Sequence, residues 1–184
     1  MNSSILFNKS FRFAALASVV AFGAFGASNS FAAKAVASNS SATVIVPIAI
    51  TKSADLIFGK FAPGAGGEVT VATDGARTTT APILSNSGAD AAADQFDVTG
   101  DDNSTYGITW TGAAALTNSG SSETMTLSKI SDLTAAGVTT GEATSGELDV
   151  DGTQSIYLGG TLTVGASQAD GNYIGDVTAT VEYN

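Results

Sequence analysis

Apolar and polar residues alternate with a period of two along most of the chain after residue 41. The stretch from Ala42 to Ile50 shows the pattern first, because all its even positions are apolar and lie on one face of an extended chain. Those positions are Ala42, Val44, Val46, Ile48 and Ile50. Pro47 interrupts the stretch, and proline has no N–H to donate to a ladder. We therefore expect an edge strand here.

Further short strands are predicted along the rest of the chain. Leu56 and Phe58 indicate a second strand segment, and Gly159-Gly160 predicts a bulge or bend in a later one. The final strand has the cleanest alternation, with one face formed by Tyr173, Gly175, Val177, Ala179, Val181 and Tyr183. No long helical stripe interrupts the series. About eight to ten short strands between Gly/Asn/Asp/Ser turns predict an all-β, immunoglobulin-like antiparallel β-sandwich.

The N-terminus has the features of a signal peptide. Lys9 and Arg12 form a basic region, and Phe13 to Phe25 is an apolar run too short for a comfortable membrane span. Small residues then place a cleavage site after Ala32 or Ala33. We expect export through the Sec pathway, passage through the periplasm and a final location at the cell surface or outside the cell.

These features divide the chain into three parts. Residues 1–32 are the predicted signal peptide, residues 33–50 an N-terminal extension and candidate donor strand, and residues 51–184 one β-sandwich domain. The chain has no cysteine, so neither disulfides nor thiolate metal sites can form. The sandwich must rely on its packing.

Charge and composition exclude several functions. Seven basic and seventeen acidic residues give a net charge of −10, and the few basic residues form no stripe. We therefore expect no binding to nucleic acid or to anionic membranes. No apolar stretch after the predicted signal peptide is long enough to span a membrane, so we expect no membrane insertion. The chain has no histidine, which removes the commonest general base and metal ligand. We expect no enzymatic activity, no catalytic residue and no cofactor.

Two groups of acidic residues are candidates for a cation site. Glu147, Asp149 and Asp151 resemble the first half of a calcium loop, but Leu158 stands where the bidentate acid is needed. The run from Asp101 to Asn103 has the composition of an ordinary turn. The sequence therefore predicts no metal site.

Four stretches carry a resemblance to a known family. They are PIAITKSADLIFGKFAPG (47–64), GEVTVATDGARTTT (67–80), QFDVTGDDNSTYGIT (95–109) and LTVGASQADGNYIGDVTATVEYN (162–184). In these stretches the chain resembles a family of secreted bacterial proteins, domain-of-unknown-function family 4402. The resemblance implies a β-sandwich and export, and it transfers no catalytic residues.

The order of segments is also similar to that of chaperone–usher pilins of the spore-coat-U-like type. This likeness implies that the N-terminal strand of one subunit completes the sandwich of the next, and that a periplasmic chaperone and an outer-membrane usher are partners. Ala42, Val44, Val46, Ile48 and Ile50 would then be the donor residues. The strand capped by the chaperone would contain Val177, Ala179, Val181 and Tyr183. The chain lacks the cysteine pair found in many pilins.

Two functions remain open at this point. The first is a non-catalytic structural subunit of a surface fibre or coat, which self-associates head-to-tail through residues 42–50. The alternative is a monomeric secreted or cell-surface β-sandwich protein with an adhesive or unknown binding role, in which the same strand docks in its own domain. A secreted hydrolase is a weaker third hypothesis.

Overall fold

The computed structural model describes residues 34–88 and 90–184. Residues 34–42 belong to one unit and take no regular secondary structure, whereas the unit from Thr43 to Asn184 contains all the strands of the described residues. The strands are β1 (Ala49–Lys52), β2 (Phe61–Ala62), β3 (Gly67–Val71), β4 (Arg77–Thr79), β5 (Ile83–Leu84), β6 (Asp94–Thr99), β7 (Thr105–Gly112), β8 (Ala115–Asn118), β9 (Thr124–Asp132), β10 (Ser145–Glu147), β11 (Thr153–Val164), β12 (Tyr173–Ile174) and β13 (Val177–Tyr183). The predicted signal peptide lies outside the described residues.

Strand β11 is the centre of the larger sheet. One of its edges pairs with β9 from Tyr157 to Thr163. The other edge pairs first with β6, from Thr153 to Leu158, and then with β3, from Gly160 to Val164. The sheet continues through β9, β8 and β12 on one side and ends at β1, beyond β6, on the other. All of these pairings are antiparallel.

A smaller sheet packs against one half of the larger sheet. It has the order β10-β7-β13, with β13 antiparallel to β7 along its whole length. Between the two sheets, Phe96 and Ile156 from the larger sheet meet Tyr106 and Ile108 from the smaller one in a single buried cluster. This arrangement confirms the predicted all-β antiparallel sandwich.

The other half of the larger sheet is covered by loops and by a two-stranded ribbon of β2 and β5. Its buried cluster includes Val69 from β3, Leu127 from β9 and Leu162 from β11. Phe58, from the segment before β2, is buried in this cluster, and Phe61 of β2 packs against it. Residues 156, 158, 162 and 164 of β11 are all buried and lie on the same face of the strand. One face of β11 therefore contributes to both clusters.

Two predicted local features are wrong. Leu56 and Phe58 do not form a strand: Ile57 makes an isolated bridge with Ala92 while Phe58 enters the core, and Gly59 then has a φ of 70°. The predicted bulge at Gly159-Gly160 is also absent, since β11 continues through both glycines. This is the point at which the neighbour of β11 changes from β6 to β3. Gly159 allows the end of β3 to approach closely.

Candidate functional site

The C-terminal strand β13 is an edge strand with an apolar inner face. Among the described residues, β7 is the only strand that pairs with β13. Its second edge therefore presents backbone N–H and C=O groups of the kind that pair with an added strand. Along it, four half-buried residues alternate with exposed ones. The half-buried residues are Val177, Ala179, Val181 and Tyr183, all packed against the core between the sheets.

Strand β1 lies close to β13 at the same side of the sandwich. It ends the larger sheet and pairs with β6, with Ile50 opposite Val98. Ile48 and Ile50 are half-buried and pack against the core of their own chain. The two edge strands thus border an apolar face that is only partly covered.

The segment just before Ile48 is different. Thr43 to Ile48 take no regular secondary structure, so the predicted strand over 42–50 is present only from Ala49 onward. Val44 is 95% exposed and Val46 is 54% exposed. Ala42, also exposed, belongs to the other unit of the chain. The five predicted donor residues therefore fall into an exposed group and a half-buried pair.

One side chain of the C-terminal strand holds this segment. The Tyr183 hydroxyl donates to the carbonyl oxygen of Val46 at 2.8 Å and accepts from the N–H of Asp101 at 2.6 Å. The N–H of Val46 donates to Oδ1 of Asp101 at 3.4 Å. Both bonds of Val46 use its backbone, so they leave its side chain free. Hydrogen bonds at such exposed positions contribute only about 0.5–1.5 kcal/mol each.

The family comparison is informative at this same boundary. A family model described as "Domain of unknown function (DUF4402)" matches residues 48–183. The chain belongs to this family. The DUF4402 match contains Ile48, β1 and β13, whereas residues 43–47 precede it. No curated protein matches the sequence of this DUF4402 protein.

The acidic groups considered as cation sites form turns in this DUF4402 protein. Asp149 accepts hydrogen bonds from the N–H groups of Asp151 and Thr153 at 2.9 and 2.8 Å and from the Thr153 hydroxyl at 2.9 Å. These bonds, led by those from Thr153, lower the pKa of Asp149. Within residues 34–88 and 90–184, no group of three or more acidic side chains is placed to hold a metal ion.

One buried carboxyl was missed by the sequence analysis. Asp94, at the start of β6, is 6% exposed, and its Oδ1 atom is buried without a hydrogen-bond partner. Burial raises the pKa of Asp94 to about 6, although the nearby ammonium of Lys52 opposes this shift. The alternation contained the signal, because Asp94 has the same parity as Phe96 and Val98, which are both buried.

The pKa of Asp94 predicts a stability that falls with rising pH. The pKa of this carboxyl group is higher in the folded than in the unfolded protein. Such a group destabilises the fold progressively as the pH rises from the pKa in the unfolded protein to the pKa in the folded protein. Between pH 5 and pH 8 we expect the free energy of unfolding to fall by about 1–2 kcal/mol. In Asp94→Asn this loss should disappear. Urea denaturation at the two pH values measures it.

Other titrating groups do not account for the expected pH dependence of stability. The chain has no histidine that would titrate near pH 6. Asp97 and Asp149 have lowered pKa values, so their stabilising contributions are already complete at pH 5 and are lost only in stronger acid. Asp102→Asn, at an exposed position, should keep the pH dependence. A pH dependence that persists unchanged in Asp94→Asn would contradict the prediction.

Proposed function

We propose that this protein is an exported, non-catalytic structural subunit of a surface fibre or coat. Subunits join head-to-tail when the exposed segment before β1 of one copy adds to the free edge of β13 in the next. The observation that supports this most is that one molecule has both an apolar strand with an open edge and an exposed apolar segment of strand-like sequence.

The segment from Ala42 to Pro47 supplies the donor residues in this proposal. Val44 and Val46 are its two large exposed side chains with even parity, and full burial of each is worth roughly 1.5–3 kcal/mol. Ile48 and Ile50 stay in their own chain, where they already pack against the core. Release of the segment breaks the two exposed hydrogen bonds of Val46, and burial of Val44 and Val46 in the groove of another copy would offset that cost.

The contact between copies would be heterologous and would not close on itself. A segment at one end of the subunit sequence enters a groove formed by another surface, so each added subunit leaves one free segment and one free groove. Such a contact builds a filament. While a subunit is unassembled, its β13 edge needs protection from uncontrolled pairing, which a periplasmic chaperone would provide before transfer to an outer-membrane usher.

Export is a further part of the proposal. The predicted signal peptide supports passage through the Sec pathway to the periplasm and then to the cell surface. Across the part of the chain that the structure describes, there is no helix with the length and hydropathy needed to cross a bilayer.

The test compares the mature chain with a truncated chain that lacks residues 33–47. The truncation keeps Ile48, which packs on the core, and the whole of β1. We expect the mature chain to form a heat-sensitive ladder on an unboiled gel and heavy species in sedimentation. The truncated chain should be a folded monomer that binds an added peptide of residues 38–52, because its acceptor edge remains free.

A compact monomer at full length would overturn the proposal. A truncated chain that no longer folds would point the same way. Both results would favour the alternative of a monomeric secreted or surface protein. That alternative is supported by the placement of Ile48 and Ile50 on the core of their own chain.

A further inference from the structure

A cavity of about 320 Å³ lies where β1 ends, β6 begins and β12 leads into β13. Its wall is about half polar and half apolar, and its apolar side chains include Leu56, Phe58, Leu127, Leu158 and Val177. Its polar side chains include those of Lys52, Asp55, Asp94 and Asp176. The cavity therefore combines apolar side chains with a mainly acidic set of charged ones.

Asp94 is the group in this cavity that needs a partner. A buried polar atom without a hydrogen bond costs roughly 1–3 kcal/mol, and more when it is charged. Oδ1 of Asp94 is such an atom, on a side chain that is 6% exposed. Native proteins leave few buried groups in this state, and such a group is one mark of a binding site for an ion or ligand.

The cation already beside the cavity does not meet this need. Lys52 makes its hydrogen bond and salt bridge with Asp55. That is the only salt bridge among the residues that the structure describes, so Asp94 and Asp176 lack a paired cation there. With its carboxylates ionised, the cavity has a net charge of about −2 and favours a cation.

We propose that this cavity binds a protonated primary amine with a short aliphatic chain. The ammonium group donates to the Asp94 carboxylate, a charge-assisted hydrogen bond of the stronger kind. The aliphatic chain packs against the leucines of the wall. A free amine and the side chain of a lysine in a peptide offer the same chemistry. None of residues 43–47 lines the cavity, and Val177 is the one lining residue that belongs to β13.

The experiment uses the mature chain at pH 7.5, where Asp94 is ionised, and n-butylammonium chloride as the probe. Calorimetry should show saturable binding that weakens about tenfold or more in Asp94→Asn, through loss of the charged acceptor. Asp102→Asn is the matched control and should bind as the wild type does. The neutral analogue n-butanol should bind at least about tenfold more weakly than the ammonium.

A second measurement tests the contact with Asp94 by a readout other than affinity. The carboxyl carbon resonance of Asp94, followed by NMR, should titrate at a lower pH when n-butylammonium is saturating, because the bound cation favours the ionised carboxyl. Equal affinity of wild type and Asp94→Asn, or equal affinity for n-butanol, would overturn the proposal, as would an absence of saturable binding. Binding of Nα-acetyl-lysine methylamide assigns the site to a peptide lysine, whereas binding of n-butylammonium alone assigns it to a free amine.

Discussion

Replacing Val44 by aspartate should abolish self-assembly of the mature protein and leave the fold of each subunit intact. The side chain is 95% exposed in the single chain, so the charge meets only water there. In a completed fibre the same position would lie in an apolar groove, where an unpaired carboxylate is strongly unfavourable. We expect the ladder of species on an unboiled gel to be reduced to monomer.

The matched control is Val36→Asp, which makes the same change at a position that is 87% exposed in the same N-terminal extension but outside the proposed donor segment. This variant should assemble as the wild type does. Circular dichroism should show the same β-fold for both variants, and urea denaturation of their unassembled subunits should give the same free energy of unfolding. Assembly that survives Val44→Asp, or fails equally in Val36→Asp, would show that Val44 is not buried between subunits.

Gly159→Ala should destabilise the sandwich by about 3 kcal/mol or more, the upper end of what overpacking costs. A Cβ atom at this position would lie 2.3 Å from the carbonyl oxygen of Val71 and 3.0 Å from the carbonyl carbon of Ala72. Both neighbours are backbone atoms, one in the last residue of β3 and one in the residue after it, so neither can turn aside without a shift of the backbone. Urea denaturation of the variant measures the loss.

Gly107→Ala tests whether the effect is specific to close backbone approach. Gly107 also lies within a strand, β7, but the nearest atom to an added Cβ is 3.6 Å away, an ordinary contact. We expect no loss of stability there, because alanine lowers the conformational entropy of the unfolded chain relative to glycine and so favours the folded state. If the two variants lose stability equally, the cost belongs to the removal of glycine and not to the contact with β3.

Much of the sandwich was predictable because side chains in a strand must alternate between faces. The inward rows of β7 and β13 follow directly from that rule, and the structure places Ile108 and Val181 as expected. Pro47 likewise indicated an edge strand, and β1 does end the larger sheet. The local pattern of residues determines these features, so a single sequence is enough to predict them.

The features that were missed depend on partners far away in the sequence. Nothing near Gly159 shows that β6 and β3 follow one another along the same edge of β11. Phe58 alternates like a strand residue, yet it is buried because a loop crosses the core of β3, β9 and β11. The cavity around Asp94 is formed by segments from residue 52 to residue 177, and only the fold brings them together.

The hydrogen bond between Tyr183 and Val46 has a consequence for folding during synthesis. Its two residues are 137 positions apart, and β7 must also wait for its partner β13, which begins 65 residues after the end of β7. Neither contact can form before β13 has been synthesised, so the smaller sheet closes only after that point. Contacts of such long range slow folding. Until then β7 has an uncovered edge, and aggregation of incomplete chains is the characteristic risk.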